Sequence, residues 1–436
     1  MHHFARNPYA KTLRSPLDFR EFSRTRVSTR TVVHKLRSIS LFLLSVSGQM
    51  WANPREVELS DRVSVILPTY NRADLIVPTI ESLLAQTRPI DEILVLDDGS
   101  TDDTVERLAP YRDRIRYHRK ENGGKAAALN LALTMTKGDF IWICDDDDLL
   151  LPDACERLMG AFEADPSLDF CAGVHEDFII DPATSKMVRK PPGYLRKSAQ
   201  DEIFADALDG CHLFQPGLIV RRAHYDAVGP FDEKLTRSQD YQMLLRLTRH
   251  GKGRVLPEIV FLHREHQGAR GSAKERFSTE EANRKWIKYH RIIMEPLLAD
   301  LTDREVLPPA IWNDPDREAI RDRTATVRRG AIFGRHVLWQ EALNTWQTLD
   351  LSSDADLDDY EIQAIRNSTG YSLGCAPLLE SAELLDAVKE LKKRGPLGRQ
   401  IVRELGRSLF WRVKQSLKNG DVRSLYQLLR FIAATR

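Results

Sequence analysis

The chain has 436 residues, 64 Lys+Arg against 63 Asp+Glu, and a formal net charge of +1. Single cores stop growing near roughly 250–300 residues, so one large domain plus a second unit is expected. The charge balance excludes a whole-chain basic binder of nucleic acid, and 42% hydrophobic residues exclude a disordered chain. The five cysteines, Cys144, Cys155, Cys171, Cys211 and Cys375, make no C-x-x-C pair. Neither a disulfide scaffold nor a structural zinc site is expected, and a reducing cytosol fits best.

Residues 1–37 carry nine Lys/Arg and two acids, Asp18 and Glu21. The apolar stretch Ile39 to Val46 is far shorter than the roughly 20 residues of a membrane span. Its length suits a signal-peptide core, but the basic region before it is unusually long. A disordered basic extension over 1–57 is the reading adopted, with Met50 as an alternative start.

Strand and helix patterns then alternate. Val63–Leu67 is a short β-branched run that reads as a buried parallel strand. Asp74 caps a predicted helix with Ile76, Ile80, Leu83 and Leu84 on one face and Pro78 in its first turn. Glu92–Leu96 is a second strand, followed by a helix opening at Ser100 and Thr101. Arg114–His118 is a weaker strand, Lys125–Met135 an alanine-rich helix, and Phe140–Cys144 a fully apolar strand. Such alternation implies βαβ units. A helix starts near Pro152, strands cover Phe170–Val174 and Leu218–Val220, and an amphipathic helix runs from about Gln239 to Arg249. From Phe277 onward the periodicity is helical, over Trp286–Leu298, Ala325–Leu349, Ala382–Lys393, 399–418 and 421–434. Gly330, His336, Trp339 and Ala342 resemble one helical-hairpin repeat, and Trp339 and Trp346 read as core.

Six segments could carry chemistry. Asp145-Asp146-Asp147-Asp148 follows the FIWIC strand directly. Four adjacent carboxylates repel one another, and a divalent cation would relieve that cost. The bland alternative is a solvated acidic turn, which the apolar flanks on both sides argue against. The carboxyl end of a buried strand is also where open α/β sheets bind ligands. Asp97-Asp98-Gly99-Ser100 ends the second strand; it is ordinary turn chemistry, or an acceptor for a base or ribose. Pro68-Thr69-Tyr70-Asn71-Arg72 ends the first strand and by itself is only a loop. Glu121-Asn122-Gly123-Gly124-Lys125 opens a helix and suits a phosphate, without Walker spacing. Asp240 stands at a helix start, where acids usually only cap. His263 and His266 flank Arg264 after an apolar run, close enough in sequence pattern to serve a metal or simply the fold.

Taken in order, VSVILPTYNR, EILVLDDGSTDDT, ENGGKAAALN, FIWICDDDDLLLPD, GPFDE and SQDYQMLLRL resemble the family 2 glycosyltransferases. The resemblance covers about residues 61–270. It implies a GT-A fold, an α/β architecture with a mostly parallel sheet flanked by helices, over 58–272, followed by an α-helical region over 273–436. It implies transfer of a sugar from a nucleotide-diphospho-sugar donor to an acceptor hydroxyl with inversion, assisted by Mn2+ or Mg2+. By motif, Pro68, Thr69, Asn71, Asp98, Lys125 and Asp146 would bind the donor. Asp145, Asp147 and His266 would hold the metal, and Asp240 would be the general base. The acceptor, whether glycan, lipid or protein, is not implied, and cell-surface polysaccharide or glycolipid synthesis is the family expectation.

Two other readings stand beside it. Nucleotidyl transfer expects a glycine-rich basic loop after the first strand, where this chain has Pro-Thr-Tyr-Asn-Arg. A catalytically inactive scaffold, binding a partner through its helical tail, would be expected to lose the carboxylates that are present. The tail from Arg403 to Arg436 carries eight Lys/Arg and two acids among interleaved Leu, Phe and Trp. Residues 399–436 are therefore expected either to lie on an anionic membrane or to pack on the domain or a second copy. The expected location is cytoplasmic, peripheral at the inner membrane face in the first case.

Overall fold

The computed structural model describes residues 61–181, 183–190, 201–265, 279–370 and 375–436. The expected extension over 1–57 and the candidate ligand His266 lie outside the described residues. Among those described, the strands are β1 (Val63–Thr69), β2 (Glu92–Asp97), β3 (Arg116–Arg119), β4 (Phe140–Ile143), β5 (Leu149–Leu150), β6 (Phe170–Ile180), β7 (Met187–Arg189), β8 (Leu218–Arg221) and β9 (Gly253–Arg264). They form one sheet in the order β3-β2-β1-β4-β8-β6-β9-β5, with β7 on β6. Strands β3, β2, β1 and β4 run parallel. Beyond β4 the sheet becomes mixed, because β8 is antiparallel to both β4 and β6 while β6 and β9 are parallel.

The period of two explains how β1 serves two layers. Every one of its residues is buried. Val63, Val65 and Leu67 pack with helices Ile76–Leu84 and Ala154–Ala164, whereas Ile66 faces helices Lys125–Met135 and Gln239–His250. Strand β4 divides likewise, with Phe140 and Trp142 on the first face and Ile141 and Ile143 on the second. The second face continues without a break into the helical region, through Ile293, Met294, Val327, Trp339 and Trp346. The polar clasp is the short helix Ile203–Leu208. Its Ala205 carbonyl accepts from Arg328 at 2.8 Å, its Leu208 carbonyl faces His336 at 2.9 Å, and the Tyr241 hydroxyl donates to Ala207 at 2.7 Å. Helix Gln239–His250 is thereby held from both sides.

The helix patterns over Lys125–Met135 and Ala382–Lys393 appear as read, and Trp339 and Trp346 are buried core. Four details differ. The helix after β2 begins at Thr104. Asp102 is diverted to the backbone N–H groups of Ala73 and Thr104, each at 3.1 Å, and so ties two loops together. Asp74 makes no cap bond, and the first helix starts at Ile76 after a turn on the Arg72 carbonyl. The stretch 325–349 is a hairpin of Arg321–Arg335 and Trp339–Trp346. It breaks where Val337 takes a left-handed φ of 66°, unusual for a β-branched residue. Close packing requires the break: a Cβ on Gly330 would stand 2.3 Å from the Trp346 indole nitrogen. Lastly, 399–418 divides into Pro396–Ser408 and Phe410–Asn419 around the buried Leu409.

Candidate active site

The loops after β1, β2 and β4 all open at the carboxyl edge of the parallel half of the sheet. Asn71, at a left-handed φ of 54°, links two of them. Its side-chain oxygen accepts from Thr101 N at 2.7 Å, and its own N–H donates to Ser100 Oγ at 2.9 Å. Asp97 is fully buried and structural, accepting from Ser100 N at 2.7 Å and the Tyr117 hydroxyl at 2.5 Å. Gly99 turns the chain at φ 86°, and a Cβ there would stand 3.0 Å from Asn122 N. Asp98 faces inward. Its carboxylate accepts from Lys120 Nζ at 2.7 Å, Gly123 N at 2.9 Å and Gly124 N at 2.7 Å. A carboxylate offers about four lone-pair positions, so one stays open.

The aspartate run does not act as a unit. Asp148 points into the fold, accepting from Arg264 N at 2.8 Å while its carbonyl accepts from the Thr79 hydroxyl at 2.8 Å. Burial and the charges of Asp145 and Asp147 push its carboxyl well up. Asp145 pairs with Lys125. Asp146 stands 3.5 Å from the Arg72 guanidinium. Burial first, then the charge of Asp147, push Asp146 up to about 7 against the pull of Arg72. The Thr69 hydroxyl faces it too loosely for a hydrogen bond and is buried with no partner. Burial alone would lower the Lys125 ammonium, but Asp145, Asp240 and Asp146 together hold it above the ordinary lysine value.

The facing wall is carried on the helix Lys125–Met135. Asn130 binds the GPFDE segment through Phe231 N at 2.8 Å, the Phe231 carbonyl at 3.0 Å and Glu233 at 2.9 Å. From there the chain passes Leu235 to Ser238, which takes φ 59° before the helix Gln239–His250 begins. Asp240 lies in that helix's first turn, where its carboxylate accepts from Tyr241 N at 2.9 Å. The two walls enclose a cleft of about 580 Å3.

The structure brings Pro68, Thr69, Asp98, Lys125, Asp145, Asp146, Asp147 and Asp240 to this cleft. Asn71 is not in its lining and acts between loops. Tyr70, Arg72, Arg237 and Gln239 also line it, and the sequence assigned none of them a role. The signal available for Arg72 was its place in the loop after the first strand, at the same carboxyl edge as an acidic run that needs a counter-ion. The Gln239 side-chain oxygen is buried without a partner, next to Asp240. The donor set suits a hard cation: adjacent carboxylate oxygens, with Asp146 among them pushed up to about 7 by burial first and then by the charge of Asp147, a repulsion that a bound ion would relieve. A second group of metal-type side chains, His175, Asp177 and His263, lies on β6 and β9.

The family model described as Glycosyl transferase family 2 matches residues 64–222. An uncharacterized glycosyltransferase of Rickettsia typhi is 30% identical over 211 residues, covering 48% of this chain and 65% of that protein. Chondroitin synthase of Pasteurella multocida is 32% identical over 202 residues, covering 46% of this chain and 20% of that one. Among solved structures, S. aureus TarS 1-349 in complex with UDP-GlcNAc aligns with a TM-score of 0.47 at 19% identity, over 82% of this chain and 92% of that chain. A Rickettsia felis uncharacterized glycosyltransferase matches at 29% identity, and the chain spans only 39% of its length. The curated relatives therefore extend well beyond the matched region.

Proposed function

We propose, from the premise that residues 64–222 are a Glycosyl transferase family 2 domain, that this chain moves a sugar from a nucleotide-diphospho-sugar to an acceptor hydroxyl with inversion. The observation that carries the reading is one cleft that gathers the aspartate run, Lys125 and Asp240. Lys125 feels the charge of both Asp145 and Asp240, so the two acids stand within electrostatic reach of one ammonium.

The roles follow from chemistry. The last acceptor position on Asp98 takes an N–H of the base, and the Asp98-bound loop 122–124 forms the floor beneath it. Pro68, Thr69 and Asp146 flank the ribose, and Asn71 holds the loops that shape this pocket. Lys125 neutralises the diphosphate from the start of its helix. A divalent cation, Mn2+ or Mg2+, would sit on Asp145 and Asp147 with His266 and stabilise charge on the leaving diphosphate. Asp240 accepts the proton of the acceptor hydroxyl as that oxygen attacks the face opposite the diphosphate, a contribution typically of about 10²–10⁴-fold. Relatives named as chondroitin and hyaluronan synthases support a polysaccharide role.

The test is product release from a panel of UDP- and GDP-sugars with and without Mn2+. Metal-dependent turnover of one donor is expected. Neither turnover nor metal-dependent nucleotide binding would leave the scaffold reading instead.

A second observation concerns the tail. Among the described residues no helix is long and apolar enough to cross a membrane. Helices Phe410–Asn419 and Val422–Thr435 bury Leu428, Phe431 and Ile432 yet expose Phe410, Trp411, Leu417, Val422, Tyr426 and Leu429. With Arg412, Lys414, Lys418 and Arg423 interleaved, this face suits the anionic surface of the inner membrane leaflet. Co-sedimentation with anionic vesicles, lost in Trp411→Glu/Leu417→Glu, is the expected result. Equal sedimentation of both proteins, or a dimer that the double variant splits, would count against it.

A further inference from the structure

Among the described residues, three metal-type side chains converge away from the aspartate run. On β6, His175 and Asp177 are two residues apart and share a face of the strand. Strand β9 lies parallel to β6, and the register sets Asp177 beside His263. An irregularity in that pairing between Ala172 and His175 re-aims the β6 side chains just before the group. One ligand atom from each of the three lies within 4.8 Å of the others. Asp177 Oδ1 is 2.9 Å from His263 Nδ1 and 3.8 Å from His175 Nε2. Ligands bound tetrahedrally at about 2.0–2.1 Å stand roughly 3.3 Å apart, so small side-chain rotations complete the geometry.

We propose that His175, Asp177 and His263 form a seat for a transition-type divalent ion such as Zn2+, separate from the aspartate site. The donor set is two imidazole nitrogens and one carboxylate oxygen, which selects borderline-soft ions over Mg2+. The imidazoles are held by an apolar shell. Phe261 stacks on His175 at 5.3 Å, and Phe214 meets the His175 edge at 4.7 Å and stacks on His263 at 5.8 Å. Such a shell fixes ring orientation and excludes competing water. Three protein ligands leave a fourth position open, as in reactive zinc sites. Of the three, His263 also lines the cleft, which sets the proposed seat at its margin.

The test is Co2+ titration of the full chain, read by the visible absorption of tetrahedral cobalt. One equivalent of tetrahedral cobalt is expected, displaced by Zn2+ and unchanged in Asp147→Asn. Affinity should fall at least about 100-fold in His263→Gln and in the isosteric Asp177→Asn. X-ray absorption on the wild-type cobalt complex should count two nitrogen ligands, a readout independent of whether any variant folds. Binding that follows Asp147 and ignores His263, or an all-oxygen shell, would overturn the proposal. It does not rest on glycosyl transfer: an inactive protein can bind Co2+ through His263, and an active one can fail to.

Discussion

Glu361 and Asp146 are both buried carboxylates, and their surroundings differ in kind. Glu361, in the helical region, accepts from Arg323 Nε at 3.0 Å and Nη2 at 2.9 Å, from the Thr324 hydroxyl at 2.9 Å and from Asp358 N at 3.0 Å. Glu404 is similarly gripped by Arg366 and Arg407. Asp146, in the cleft, has one guanidinium at 3.5 Å and acids on both sides in sequence. Glu361 is paired in full, whereas Asp146 has one loosely placed guanidinium for its charge. Folding alone would not favour that shortage, and a cationic ligand removes it.

The contrast predicts mutations of opposite sign. Glu361→Ala strands Arg323 and should cost about 3–5 kcal/mol in urea unfolding. A cost below about 1 kcal/mol would mean the helical region does not depend on its ion pairs. Asp146→Asn should instead stabilise the metal-free protein by about 1–3 kcal/mol above pH 7. Its carboxyl lies higher in the fold than in the unfolded chain. The folded wild type therefore holds an extra proton between about pH 4 and 7, and its stability falls as pH rises through that range. The gain from Asp146→Asn should accordingly vanish near pH 4, and added Mn2+ should stabilise wild type more than the variant.

The helical region should show a slope of the opposite sign. His290 and His336 meet at 2.8 Å, buried against Tyr241. Burial first, then the neighbouring ring, takes His290 down to about 2; burial takes His336 down to about 4. The unfolded chain then binds more protons below about 6.5, so their contribution is full above that pH and is lost as pH falls toward 4. Unfolding midpoints of His290→Gln against wild type from pH 7 to 4.5 should converge as pH falls. Parallel curves would mean the pair is not held neutral.

How legible each region was depends on distance along the chain. Strands β1 and β4 and the helix Lys125–Met135 are encoded by local periodicity, and the residues at their ends announce the cleft. Apolar spacing that runs on through Val337 reads 325–349 as one helix, while Gly330, His336, Trp339 and Ala342 resemble a hairpin repeat, and the hairpin is what forms. Its close packing shows at Gly334, where a Cβ would stand 2.9 Å from the Trp339 ring. The inward turn of Asp148 depends on Arg264, 116 residues away, and four adjacent aspartates carry no mark of which one faces inside. The approach of His175 and Asp177 to His263 likewise depends on strand register, which no local pattern encodes. Asn71 matched a motif, yet its side chain serves a neighbouring loop.

The central claim is that Asp240 does proton chemistry opposite a donor site that it does not build. It is tested most directly by calorimetric donor binding and product release measured side by side on wild type and Asp240→Asn with Mn2+ present. The account predicts donor affinity unchanged within about threefold and transfer slowed about 10²–10⁴-fold. Transfer at the wild-type rate, or donor affinity lost together with transfer, would contradict it.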